Sequence, residues 1–357
     1  MGQKLEHSSR EFLIHPGETI AEILEDRNMT QKELAIRTGF TEKHISTVIN
    51  GMKSISAKLA LGLEHALDVP ASFWNNLQTN FDLEVEMFNE RNNITDEEIT
   101  IARDIKKPVE VLTKKKLGST DESHTVIALR HALGMRSLTS IKRLNTGVYR
   151  SRVQANQNEN IMYVWQYLSE KACLSQTENA LDIDRLKSSL PSIKKIMFED
   201  PDNHVSLIQK ALNQCGILFT VNKHVKGAPI HGLTVKTRNQ KLMIAMTVRY
   251  KYIDTFWFSL FHEIAHVLHN DYLSHAVSDQ TIKTQEKKAD AFAQNALIDP
   301  ELYATFVKAR DFTGDAVIDF AKQCGVLPTI VVGRLMNDGH KDWNENTLRE
   351  QYAWIHS

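Results

Sequence analysis

Phe256-Trp257-Phe258-Ser259-Leu260-Phe261-His262-Glu263-Ile264-Ala265-His266-Val267-Leu268 is the stretch from which the rest of the chain is best read. It contains H-E-x-x-H inside an apolar run. On a helix, His262 and His266 fall one turn apart on one face, so both imidazoles can reach one metal ion. Neutral imidazole is a natural zinc ligand, and a catalytic zinc needs about three protein ligands and an open position for water. Glu263 lies beside that position and is placed to take a proton from the water. Phe261, Ile264, Ala265 and Leu268 bury the opposite face. The pattern is that of an amphipathic helix with its ligands up and its apolar side down.

A second helical run, Glu286-Lys287-Lys288-Ala289-Asp290-Ala291-Phe292-Ala293, follows. Glu286 and Asp290 share a face, one turn apart. Asp290 is placed to accept the free ring N–H of a ligand histidine and so fix its tautomer. His269 also lies on the ligand face and is expected at the rim or just behind the ligands. The longer metzincin pattern needs glycine at 269 and histidine at 272, where this chain has His269 and Tyr272, so that class is excluded.

The run from Asp254 to His269, with the E-x-x-A-D-x-F-A run at 286–293, resembles the ImmA/IrrE family of zinc metallo-endopeptidases over roughly residues 216–300. In zinc peptidases of the gluzincin class a glutamate about two dozen residues after the first histidine is the third ligand. The resemblance implies zinc on His262, His266 and Glu286, with Glu263 as catalytic base. It also implies a DNA-binding repressor as the kind of substrate. Ahead of the motif, short apolar runs at 216–221, 232–237 and 242–247 read as strands of a small sheet. Its edge strand would pair with an extended substrate backbone, and Met246 reads as packing.

The first eighty residues are compact and helical. His15-Pro16-Gly17-Glu18 opens a helix with proline near its first position and an acid in its first turn. Thr30-Gln31-Lys32-Glu33 has the form of a capping box. Thr41 and Ser56 cap two further helices. The order Ala35, Gly39, Ile45, Val48 is that of a helix-turn-helix: a small residue at the helix contact, glycine in the turn, apolar anchors on the second helix. Residues 1–30 carry six acids and three bases, whereas residues 31–58 carry five bases and two acids. Positive charge is thus gathered where phosphate would lie.

His15-Pro16-Gly17-Glu18, Leu34-Ala35, the run Val48 to Ser56, and Phe73-Trp74-Asn75-Asn76-Leu77-Gln78 resemble the HigA-type antitoxins of the Xre helix-turn-helix class. This implies a lambda-repressor-like bundle that binds operator DNA as a homodimer, and a HigB-type ribonuclease toxin as a partner. The expected DNA contacts are Gln31, Thr41, Lys43, His44, Ser46, Thr47 and Lys53; Glu42 shares the exposed side of the recognition helix.

The remainder is less telling. Residues 81–200 read as a helical connector, with Thr95-Asp96-Glu97-Glu98 capping one helix and helices at 124–134 and 161–172. Lys114-Lys115-Lys116 reads as a solvated face and 154–160 as a polar loop. Residues 79–125 are the expected site of any self-cleavage, unless they form a rigid brace and the substrate is a partner. The tail, Ile318 to Leu335, repeats the helix-turn-helix spacing, but its second helix is β-branched and apolar. It reads as a buried hairpin covering the core.

Composition sets the outer bounds. Hydrophobic residues make up 42% and charged residues 24% of the 357, as in ordinary soluble proteins. A formal net charge of −1 points to no nucleic-acid or membrane affinity of the chain as a whole. Cys173, Cys215 and Cys324 form no pairing pattern and read as core thiols of a reducing cytosol. Residues 1–7 show no apolar signal segment, and no run reaches the ~20 apolar residues of a membrane span.

The expectation is therefore an α+β, predominantly helical protein in three parts. These are a helix-turn-helix domain at 1–80, a helical connector at 81–200, and a small zincin-like α+β peptidase domain with a helical cover at 201–357. The expected function is that of a cytoplasmic DNA-binding regulator whose zinc metallopeptidase domain cleaves a repressor or partner protein. The alternative is an antitoxin that binds DNA and a toxin, its zinc domain non-proteolytic.

Overall fold

A computed structural model describes residues 14–118, 121–144, 158–228, 230–248, 251–273, 279–343 and 347–352. The amino-terminal residues 1–7 and most of the polar loop at 154–160 lie outside them. The fold is predominantly helical with one small sheet. Two compact units divide between Asp96 and Glu97.

The first unit contains α1 (Pro16–Asp26), α2 (Gln31–Thr38), α3 (Glu42–Ile49), α4 (Ala57–Leu67) and α5 (Ala71–Asn92). Ile20, Leu24, Leu34, Ile45, Val48, Leu59, Leu63 and Trp74 form its core. The starts of α2, α3 and α4 are capped by Thr30, Thr41 and Ser56, each hydroxyl accepting a backbone N–H three residues on. The expected capping box at Thr30 is only half made, because Glu33 turns to Arg37 instead. A reciprocal box occurs at α1. His15 Nδ1 accepts the Gly17 N–H at 2.9 Å, and Glu18 accepts the His15 N–H at 3.3 Å.

The boundary expected at residue 80 is moved by α5, which runs unbroken to Asn92. Its buried Gln78 accepts the Ile55 N–H at 2.8 Å, which fastens α5 to the bundle. The expected connector is likewise not a separate body, since residues from Glu97 onward belong to the second unit.

That unit begins with α6 (Asp96–Thr113), α7 (Glu122–Leu133), α8 (Ile141–Leu144), α9 (Glu159–Cys173), α10 (Ile183–Lys195) and α11 (His204–Gln214). The strands β1 (Ile217–Asn222), β2 (Gly232–Lys236) and β3 (Leu242–Thr247) follow, in the order β1-β3-β2. β3 pairs parallel with β1 and antiparallel with β2. It is the central strand and buried along its whole length. Next come α12 (Ile253–Leu268), α13 (Asp279–Leu297), α14 (Pro300–Ala309), α15 (Gly314–Cys324) and α16 (Pro328–Asn337).

Trp257, Leu260, Phe261 and Ile264 of α12 join β3 and α16 in one core, and α9 packs on β1 and β3. Ile330, Val331, Val332 and Leu335 are buried in that core, so the second helix of the tail hairpin packs rather than reads DNA. Cys173 and Cys215 are buried and unbridged; burial pushes the Cys173 thiol up to about 12. Among the described residues no single helix is long and apolar enough to cross a membrane; α15 and α16 have the length and apolarity only together, and they are bent by 108°.

Candidate metal centre and nucleic-acid interface

α12 and α13 pack side by side in the second unit, and their facing sides bring three donors together. His262 Nε2 lies 3.1 Å from His266 Nε2 and 3.1 Å from Glu286 Oε2, and His266 Nε2 lies 3.5 Å from Glu286 Oε1. Ligands about 2.0–2.1 Å from a tetrahedral zinc stand roughly 3.3–3.4 Å apart. The separations are close to the edges of such a tetrahedron, with Glu286 turning one oxygen to each histidine, and the chemistry of the set, two imidazoles and a carboxylate, suits that ion.

Each imidazole is oriented through its other nitrogen. His262 Nδ1–H donates to Asp290 at 2.9 Å, as the spacing predicts. His266 Nδ1–H donates to Asp271 at 3.2 Å, and Asp271 is held by the Gln285 amide at 3.0 Å. Such carboxylates fix the tautomer that leaves Nε2 for a metal. Asp271 escaped the sequence reading; its only signal is a carboxylate just past the end of the motif helix. His269, expected at the rim or just behind the ligands, ends α12 with its ring edge-on to Phe292, 6.0 Å away.

The electrostatics are those of a cluster drawn together. Burial pushes His262 down, but Asp290 and Glu286 outweigh it and raise its pKa to about 10. Burial pushes the Glu286 carboxyl up, but hydrogen bonds from His262 and His266 prevail and hold it well below the usual carboxylate range.

Glu263 is buried between α12 and β2. The Thr234 hydroxyl, 2.7 Å from Glu263 Oε2, donates to it. Gly232, two residues earlier on the same face of β2, leaves the room that Glu263 fills. A Cβ there would lie 2.5 Å from Glu263 Cγ. Thr234 and Gly232 were also missed, although a glycine inside a strand often marks a close approach of this kind.

In the first unit, α2 and α3 meet through the turn at Gly39, which adopts φ 73°. Thr41, Lys43 and Lys53 are exposed, and Gln31, Ser46 and Thr47 are partly so. The Thr41 hydroxyl caps α3. The Thr47 hydroxyl donates to the His44 carbonyl at 2.7 Å, so its remaining capacity is as an acceptor. His44 is not an outward reader: its ring stacks on Phe40 at 4.8 Å and its Nε2 is enclosed. Phe40 also lies under Lys58 Nζ, 5.6 Å from the ring centroid.

Residues 20–74 match the helix-turn-helix family, so the chain carries an Xre-type helix-turn-helix domain. Two solved structures are similar over somewhat more than a fifth of the chain. One, from Nostoc punctiforme, is described as an antidote protein of a plasmid maintenance system. It is 37% identical, and the match covers 22% of this chain and 87% of that one, with a TM-score of 0.22. The other is an addiction module antidote protein of a HigA family from Coxiella burnetii, at 30% identity, 23% and 96% coverage, and a TM-score of 0.22. No curated protein matches the chain.

Proposed function

We propose that this chain is a cytoplasmic, homodimeric transcriptional regulator that joins an operator-binding helix-turn-helix domain to a zinc-dependent endopeptidase of gluzincin type. The observation that carries the second half is the donor triangle of His262, His266 and Glu286, with each histidine oriented by its own carboxylate. The imidazoles of His262 and His266 are 15% and 2% exposed, and two imidazoles and a carboxylate that converge in this way are suited to holding a cation.

Zinc bound there would lower the pKa of water and polarise a peptide carbonyl. The chain's own residues supply the rest. Glu263 takes the water's proton and returns it to the leaving nitrogen. Thr234 holds one carboxylate oxygen of Glu263, which leaves the other to move the proton. β2 is an edge strand of the sheet, beside Glu263, and its outer side suits an extended peptide laid along it. A substrate is thus a protein segment that becomes extended, in a repressor or a partner.

The structure bears on where such a cut would fall. Most of residues 79–125 is helical, in α5, α6 and the start of α7, and Ile101, Ala102, Ile105 and Val109 of α6 are buried. A helix cannot pair with a strand edge, so a partner in trans is the better substrate than the chain's own 79–125 stretch.

A second reading is an antitoxin that binds DNA and a HigB-type ribonuclease toxin, with a zinc unit that cuts nothing. The HigA-like run at 73–78, in α5, favours it. Glu263→Gln separates the two. In the first reading it keeps zinc and abolishes cleavage of a co-encoded protein, followed by mass spectrometry. In the second, wild type and variant leave every such protein intact.

A further inference from the structure

The donor triangle stands in a groove between α12 and α13. The two helices run in opposite directions: His266 meets Glu286, and His262 meets Glu286 and Asp290. One turn further along each helix come Phe258 and Gln294, and both line one cavity of about 190 Å³. Thr255, Phe258 and His262 on α12, and Glu286, Asp290 and Gln294 on α13, are all partly exposed. The stripe that carries the metal ligands therefore continues into the wall of the cavity. The Phe258 ring centroid is 6.3 Å from that of His262.

The lining decides what the cavity accepts. Phe258, Leu297, Ile298 and Ile330 give it apolar walls. Its two arginines are already neutralised. Arg349 is bound to Asp254 at 2.9 Å, and Arg334 to Asp338 at 2.6 Å. A charged side chain would lose its water there and gain no counter-charge. A cavity of about 150 Å³ holds benzene, so this one has room for a side chain the size of leucine, methionine or phenylalanine. It is part-open, so such a side chain can enter while its backbone stays outside.

Position narrows the source. Along α12, Phe258 and Thr255 precede His262 by four and seven residues, roughly 6–10 Å at about 1.5 Å per residue. An extended peptide covers that distance in about two or three residues. We propose that the cavity receives an uncharged apolar side chain of the protein segment held at the metal centre, about two or three residues from the bond to be cut, and so selects which segments are cut. This rests on the peptidase reading of the donor triangle.

The test is binding, read by calorimetry on the zinc-loaded full chain. The probes are peptide hydroxamates, whose hydroxamate group grips zinc. In one series the variable residue, then glycine, precedes the hydroxamate; in the other the hydroxamate is followed by an acetyl spacer and the variable residue. That residue is glycine, leucine, glutamate or lysine. In one of the series leucine should bind about tenfold or more tighter than glycine, and glutamate and lysine no tighter than glycine. Asn337→Trp and Gln294→Trp fill the cavity from different helices, and each should cancel the leucine gain. Glycine probes that bind while leucine gains nothing in either series overturn the proposal and leave the metal centre standing. A gain shared by glutamate and lysine, or one that survives both substitutions, overturns it likewise. If no probe binds, the peptidase reading fails and the proposal falls with it.

Discussion

Gly232 of β2 and Glu263 of α12 are in such close contact that a methyl group at position 232 would lie 2.5 Å from Glu263 Cγ and 2.6 Å from its Oε1. Position 232 therefore sets where the carboxylate stands. Gly232→Ala should leave the three metal ligands alone and displace Glu263. Zinc content is expected to stay at the wild-type level while hydrolysis falls about a hundredfold, the usual loss for a shift of about 1 Å. Unchanged turnover in the alanine variant would show that Glu263 is not the base.

Asp271 supplies the next prediction. It accepts the N–H of a histidine that is almost fully buried. Asp271→Ala should lower zinc affinity about 10- to 100-fold, read by competition with a chromophoric chelator. His269→Ala should change it little, because that ring packs on Phe292. Equal losses in the two variants would contradict this assignment.

On DNA, Lys43→Ala should weaken operator binding across sequences and lower the salt slope by about one. Ser46→Ala or Thr47→Ala should alter which bases are preferred. His44→Ala should act through the fold of α3 instead, lowering thermal stability by loss of the Phe40 stack. Footprinting and melting curves on the same variants separate these effects. A chain lacking residues 1–96 that still protects the operator would place DNA binding elsewhere.

Glu98 gives a pH dependence. Arg130 contacts it at 2.6 Å, and it also accepts the Leu138 N–H and the Ser137 hydroxyl. Burial alone would raise the Glu98 carboxyl, but these partners prevail and hold it below the usual carboxylate range. A depressed folded pKa contributes stability that is fully present above about pH 4–5 and is lost as pH falls through the folded value. Glu98→Gln should flatten that acid limb. It should also destabilise the second unit at neutral pH, since Arg130 loses the carboxylate that contacts it at 2.6 Å. Denaturant titrations at several pH values measure both.

Much of this was readable from local chemistry. The caps Thr30, Thr41 and Ser56, the turn at Gly39 and the three strands follow from residue type and short spacing, and the structure places them as read. Asp290 sits on the donor face because helical period alone puts it there. What escaped depends on contacts between distant segments. Thr234 and Gly232 meet Glu263 only because β2 lies against α12. Glu98 and Arg130 are separated by a stretch with no chemical pattern of its own. The HigA resemblance implies His44 as a DNA contact, whereas its ring stacks on Phe40.

The most direct measurement is metal content and cleavage on one set of purified proteins: wild type, His262→Ala, Glu286→Ala and Glu263→Gln. The account predicts about one zinc per wild-type chain, little in the first two variants, and a full complement in the last. It also predicts cleavage of a co-encoded protein by the wild type alone. Stoichiometric zinc surviving in both ligand variants, or normal cleavage by Glu263→Gln, would contradict it.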